Sequence, residues 1–513
     1  MNNTIKMFLG AGFAVAVAFY ANSLIGNSTH GAFLVMAAVF GAYMAMNIGA
    51  NDVANNVGPA VGSGAITIGG AIIIASIFEL SGALIAGGDV VGTIKKGIID
   101  PAAFGDDPMI FVYAMSAALL SAALWLNLAT WLKAPVSTTH SIVGGVLGGG
   151  IAAGGFAIVS WGTMGKIAAS WVISPVLGGV IAASFLYVIK SQIVYKEDKL
   201  AAAKKVVPIL VAIMAAAFIT YLTIKGLKKV WPTIVDVLSF LPQTKKPSIV
   251  IALIFGLIGA GITYTVVKPR IAKKILGMED SRDSINLLFT IPLVFAAILL
   301  SFAHGANDVA NAVGPLAAVY DALTNTAVST KVAIPLWVMV VGGVGISVGL
   351  ALFGPRLIKT VGSEITELDQ MRAFSIMMAA AITVVIASQL GLPVSSTHIA
   401  VGAVFGVGFL REWLDRSSAG EKHLKLQEAI DEHVALKREL ENLKSNDDYK
   451  RQVELISQVK YKKKKVKSLK KSLRENYVKR GMVKKIIAAW IITVPAAATL
   501  SAIIFFIIKG VSA

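Results

Sequence analysis

Asp52 and Asp308 each stand between carboxamides in otherwise apolar sequence, in the runs Gly49-Ala50-Asn51-Asp52-Val53-Ala54-Asn55 and Gly305-Ala306-Asn307-Asp308-Val309-Ala310-Asn311. An ionised aspartate among apolar spans is costly unless something supplies the opposite charge, and no Lys or Arg lies close in sequence to either one. A bound cation would supply it. The carboxylates, the Asn side-chain oxygens and backbone carbonyls freed near Gly58-Pro59 and Gly314-Pro315 are the hard oxygen ligands an alkali cation takes. The bland alternative is capping of helix ends facing a loop, which one copy leaves open and a second copy disfavours.

A second pair of motifs offers the opposite chemistry. Pro135-Val136-Ser137-Thr138-Thr139-His140 recurs as Pro393-Val394-Ser395-Ser396-Thr397-His398, each followed by a Gly-rich apolar segment. Hydroxyls directly after a proline mark a helix start. Hydroxyls, unpaired backbone N–H groups and the positive end of the helix dipole together form an anion site that needs no formal charge. Ordinary N-capping is again the alternative, though it does not explain three hydroxyls followed by His in both copies. An anion bound there would lack a protein counter-charge, which cations at Asp52 and Asp308 could provide, so cotransport is the expectation.

Other candidates are accessory. Glu79, alone in the apolar run 66–86, reads as a site ligand or proton carrier. His140 and His398 read either as pH sensors or as hydrogen-bonded residues that fix the hairpin. His304 and His30 have no partner in the other copy, and Asn47, Gln389, Trp171 and Trp490 read as helix contacts. No Gly-x-x-x-x-Gly-Lys-Ser/Thr loop is present, which argues against ATP-driven chemistry by this chain.

These residues must be positioned by a membrane fold. Of 513 residues, 56% are hydrophobic and 15% charged, there is no cysteine, and mean hydropathy is +0.74. Uninterrupted apolar runs predict an all-α polytopic membrane protein of about 10 to 12 transmembrane segments, and their lack of alternation excludes a β-barrel. Segments 136–150 and 394–408 are short for a crossing, so re-entrant or broken helices are expected there. Without cysteine there are no disulfides and no thiolate sites. The 47 basic against 29 acidic residues sit mainly in connections, as in a protein that retains basic loops in the cytoplasm, and nucleic acid is not expected as a partner.

The motif pairs are the conspicuous part of an internal duplication at an offset of about 256 residues, joined by Gly162 and Trp171 matching Gly481 and Trp490 at a larger offset. The first half's connection 153–166 carries one basic residue, whereas its counterpart 411–485 carries 22 basic and 12 acidic residues. Equivalent loops on opposite sides imply two inverted structural repeats rocking around a central site. The expected organisation is an N-terminal span (1–29), retained rather than cleaved; a first transport repeat (30–190); a linker with further spans (191–284); the second repeat (285–410); a soluble insertion (411–484); and a last span (485–513). Segment 230–241, with Pro232 and Asp236, reads as a short interfacial helix flanked by lysines on the side expected to be external. The insertion shows two heptad-like stretches joined at Ser445-Asn446-Asp447-Asp448, which predicts a cytoplasmic helical hairpin whose Lys462-Lys463-Lys464-Lys465 run is a solvated face.

The doubled Gly-Ala-Asn-Asp-Val-Ala-Asn and Pro-Val-Ser-Ser/Thr-Thr-His motifs resemble those of the inorganic phosphate transporter (PiT) family, over roughly residues 30–190 and 285–508. The resemblance implies a secondary active symporter of the cytoplasmic membrane, not an enzyme, that moves inorganic phosphate with a cation gradient. Asn51, Asp52, Asn55, Asn307, Asp308 and Asn311 would hold the cations, sodium being preferred. Ser137, Thr138, Thr139, Ser395, Ser396 and Thr397 would hold phosphate oxygens, with Glu79, His140 and His398 accessory. Expected partners are phosphate, sodium ions and membrane lipid, with homo-oligomerisation left open and no organic cofactor. Proton coupling or sulfate transport are the near alternatives, an ion channel the more distant one and a phosphate-ester enzyme the last. The late, soluble insertion departs from the eukaryotic relatives, whose long loop lies between the halves.

Overall fold

An apolar chain inside a bilayer must satisfy its backbone polar groups internally, and this one does so as helices. The computed structural model describes residues 2–25, 30–104, 107–132, 136–228, 230–238, 241–324, 334–364, 368–417, 421–442, 449–477 and 480–512. The first half contains α1 (Asn3–Ile25), α2 (Gly31–Asn51), α3 (Val53–Gly62), α4 (Ile68–Ala86), α5 (Gly88–Lys96), α6 (Pro108–Trp131), α7 (Thr138–Gly154) and α8 (Trp161–Ile189). Then come α9 (Lys199–Gly226), the short α10 (Trp231–Val237), α11 (Ile249–Ile275) and α12 (Arg282–Leu288). The second half contains α13 (Thr290–Asp308), α14 (Ala310–Thr324), α15 (Leu336–Glu364), α16 (Gln370–Gln389) and α17 (Ser396–Ser417), then α18 (Glu421–Asn442), α19 (Tyr449–Tyr477) and α20 (Arg480–Ser512). Among the described residues the extended pairing is confined to an isolated bridge between Ile99 and Val159.

Eleven helical segments among the described residues are long and apolar enough to cross a membrane, so the chain is a multi-pass, all-α membrane protein as anticipated. Helix starts follow from local chemistry: the side chains of Thr67, Ser137, Asp198, Ser248, Ser281 and Asp369 each accept a backbone N–H of the first turn. The chain breaks where the Asp motifs fall. α2 gives way to α3 at Asp52, and α13 to α14 at Val309. Beyond each break a proline, Pro59 or Pro315, sits inside the helix without an N–H, which leaves the carbonyl four residues earlier, at Asn55 or Asn311, without its helical donor.

The two halves interlock. α15 packs on α2 and α4, α13 on α4, α20 on α6 and α7, and α8 on α16 and α17. Close backbone approach makes this possible. A Cβ at Gly49 would collide with the carbonyl of Ile346, and one at Gly305 with the carbonyl of Glu79. The outer faces of α1 and α11 carry exposed apolar side chains such as Phe8, Phe19, Leu253 and Leu257, suited to lipid.

The region read as an insertion contains the paired helices α18 and α19. Arg451 Nη2 meets Glu439 Oε1 at 3.0 Å and Lys462 pairs with Glu432, contacts whose numbering runs in opposite directions along the two helices. Hydrogen bonding from Lys462, with its charge, holds the Glu432 carboxyl below the ordinary carboxylate range. α17 continues past residue 410 as far as Ser417, and the turn read at Ser445-Asn446-Asp447-Asp448 lies outside the described residues. Segment 230–241 contains the seven-residue α10, whose buried Trp231 donates its Nε1–H to Thr244 Oγ1 at 3.1 Å. The flanking Lys225 and Lys228 both pair with Asp89 of α5.

Candidate functional site

The breaks at the Asp motifs and the starts of α7 and α17 meet in the interior, and all twelve motif residues singled out for cation and anion binding are buried. Asp52 has donors from both halves. Its Oδ1 accepts from Asn51 Nδ2 at 2.8 Å and from Thr397 Oγ1 at 3.2 Å, and its Oδ2 accepts from Thr138 Oγ1 at 2.5 Å. Asp308 Oδ2 accepts from Ser396 Oγ at 3.2 Å and lies 3.0 Å from His304 Nε2, while its buried Oδ1 has no hydrogen-bond partner among the described residues. Ligand atoms of Asp52, His304 and Asp308 all lie within 4.8 Å of one another. Two negative charges at that separation repel by about 3 kcal/mol at an effective dielectric of about 20. A cation near them relieves this.

The four asparagines divide their work by position. The first Asn of each motif ties its own half's hydroxyl segment: Asn51 Nδ2 donates to Val136 O at 3.2 Å, and Asn307 takes Leu392 O (3.1 Å) and the Val394 N–H (3.3 Å). The second Asn crosses between halves. Asn55 Nδ2 donates to Thr397 Oγ1 at 2.9 Å, and Asn311 Nδ2 to Thr138 Oγ1 at 3.3 Å and Thr139 Oγ1 at 3.2 Å. Thr139 Oγ1 in turn donates to Val394 O across the interface at 2.9 Å. The hydroxyls thus divide as well. Ser137 and Ser395 accept the N–H of His140 and His398, each at 3.2 Å, which is the capping role, whereas Thr138, Ser396 and Thr397 point at carboxylates.

Glu79 enters the cluster from α4. Its Oε1 accepts from Asn56 Nδ2 at 2.8 Å and its Oε2 lies 2.7 Å from His304 Nδ1. Neither His304 nor Asn56 was anticipated at the site. The signal was present in the sequence: Asn56 against Ala312 is the one difference between the two copies of the eleven-residue motif, and His304 precedes Asp308 by one helical turn.

His140 and His398 lie side by side at the starts of α7 and α17. The His398 ring stacks on Trp490 (centroids 3.4 Å apart), the His140 ring lies tilted against Trp171 (3.8 Å), and the two histidines meet edge to face at 4.4 Å. Trp171 and Trp490 are therefore ring partners of these histidines. Asn47 donates to its own helix at Tyr43 O, 2.9 Å away.

Comparison with known proteins places this geometry. A model of the phosphate transporter family matches residues 48–501, a span that takes in both Asp motifs and both hydroxyl motifs. The chain belongs to this family. A Helicobacter pylori (strain J99) relative carrying the name of a phosphate permease is 49% identical, with 98% of this chain and 95% of that protein aligned. A similarly named Pyrococcus abyssi protein is 40% identical over 74% of this chain and 89% of its own length. Among solved structures, one named as the sodium-dependent phosphate transporter superposes with a TM-score of 0.73 at 32% identity, covering 93% of this chain and 99% of that one. The family is one of transporters, not enzymes, and phosphate is its substrate.

Proposed function

We propose that the chain is a sodium-coupled phosphate symporter in which phosphate binds between the two hydroxyl-rich helix starts and sodium binds beside Asp52 and Asp308. The observation that carries the reading is the sharing of hydroxyls: Thr138 and Thr397, one from each half, donate to the Asp52 carboxylate. Phosphate oxygens arriving at the N-termini of α7 and α17 compete for those hydroxyls. A carboxylate that loses a donor in a buried site needs a replacement, and a sodium ion supplies it. Cation and anion then each favour the other's binding, and linkage makes the effect reciprocal. Asn51, Asn55, Asn307 and Asn311 complete the oxygen sets, and Ser137 and Ser395 present the helix starts. The relative named as a sodium-dependent phosphate transporter supports sodium as the cation.

In this scheme the halves are inverted repeats that rock about the shared site, exposing it alternately to each side of the cytoplasmic membrane, with residues 411–484 in the cytoplasm. Equilibrium binding of labelled phosphate to the purified protein tests the coupling. Sodium should tighten phosphate binding, phosphate should tighten sodium binding by the same factor, and sulfate should compete weakly. Phosphate binding indifferent to sodium, or stronger at low pH alone, contradicts the sodium assignment.

A further inference from the structure

The two Asp positions match in sequence but not in surroundings. Four residues before each Asp stand Ile48 and His304, and four residues after it stand Asn56 and Ala312. The third position is matched by packing, since Gly305 lies against the carbonyl of Glu79 as Gly49 lies against that of Ile346. All six residues are buried. Three polar residues, Asn56, Glu79 and His304, thus form a continuous chain ending 3.0 Å from Asp308, and the same three places around Asp52 hold Ile48, Ile346 and Ala312.

We infer that Asn56, Glu79 and His304 are positioning residues that orient the Asp308 carboxylate alone, so that the two cation sites of the proposed symporter are unequal. Glu79, anchored by Asn56, takes one nitrogen of His304 and fixes its ring; the other nitrogen lies 3.0 Å from Asp308 Oδ2, while the buried Oδ1 has no hydrogen-bond partner among the described residues. Carboxylates that bind cations are commonly held by such outer contacts. Asp52 is held by two hydroxyls proposed to bind phosphate, Thr138 and Thr397, where Asp308 has one, Ser396, so the Asp52 cation is the one tied more closely to phosphate arrival. The Asp308 cation depends on the polar chain.

This inference rests on the sodium-coupled reading, and one experiment separates their failures. Phosphate uptake into proteoliposomes is measured against sodium concentration for the wild type, Asn56→Ala, Glu79→Gln and Glu79→Ile. Glu79→Ile should raise the sodium midpoint by about tenfold and lower the steepness of sodium activation, with the phosphate KM at saturating sodium changed by less than about twofold. Glu79→Gln keeps an acceptor for His304 and should recover most of the loss. Asn56→Ala installs the residue the other half already carries, so it is the variant most secure in folding, and should shift the sodium midpoint by about threefold. Wild-type sodium dependence in all three variants overturns the inference alone, as does an equal loss of sodium and phosphate affinity in Glu79→Ile. A wild type whose uptake ignores sodium overturns the coupled reading and the inference with it.

Discussion

Replacing Asp52 by Asn tests the carboxylate with almost no change of shape. Around Asp52 the hydrogen-bond donors among the described residues are neutral: Asn51 Nδ2 at 2.8 Å, Thr138 Oγ1 at 2.5 Å and Thr397 Oγ1 at 3.2 Å. The Asn side chain retains one oxygen acceptor, and the threonine hydroxyls can turn to accept from its amide, so the fold survives. What is lost is the charge a cation would meet. Removing one partner of a buried, hydrogen-bonded charge pair costs about 2–5 kcal/mol. At about 1.4 kcal/mol per tenfold, the lower end of that range is a rise of about thirtyfold in the sodium midpoint of phosphate uptake. No hydroxyl is removed, so the phosphate KM at saturating sodium should stay within about threefold of wild type. The assay is uptake of labelled phosphate by proteoliposomes over a range of sodium at fixed ionic strength. A sodium midpoint within about twofold of wild type would refute the reasoning, because a carboxylate that meets no cation loses nothing as an amide.

Ser137→Ala should cost about 1 kcal/mol of stability through the lost cap of α7, seen as a lower thermal midpoint in detergent, while leaving the sodium midpoint of uptake in place. Thr139→Ala removes the donor to Val394 O and one acceptor of Asn311, and should weaken phosphate binding in an equilibrium assay without lowering the yield of folded protein. A Cβ at Gly402 would strike the carbonyl of Pro175 where α17 meets α8, so Gly402→Ala should destabilise by about 1–3 kcal/mol in thermal unfolding. Lys95 and Asp321 form a buried ion pair at 2.9 Å between α5 and α14. Lys95→Met should therefore destabilise by about 3–5 kcal/mol, and the double variant Lys95→Met with Asp321→Leu should recover part of that loss on the same measurement.

Most of the site is legible in the duplicated motifs, because a costly pattern that occurs twice in one chain is hard to attribute to local helix ends. The limits have physical reasons. Ser137 and Ser395 share a motif with Thr138 and Thr397, yet only helix geometry separates a cap from a side chain aimed at a carboxylate. The link from Glu79 to His304 spans 225 residues and has no period or spacing that a linear reading can detect. The edge-to-face contact of His140 with His398 likewise forms only when both halves close on each other. Span count and helical class followed from composition, since a bilayer leaves an apolar chain few other ways to satisfy its backbone. The course of α17 past residue 410 was not visible, because the charge density rises there before the helix ends.

The central claim is that phosphate crosses the membrane with a cation bound at the paired aspartates. Its most direct test is uptake of labelled phosphate into proteoliposomes containing the purified chain, under an inward sodium gradient, an inward proton gradient, or neither. The account predicts concentrative uptake with the sodium gradient and only equilibration without one. Concentrative uptake driven by protons with sodium absent, or uptake that never exceeds equilibration under any gradient, would contradict it.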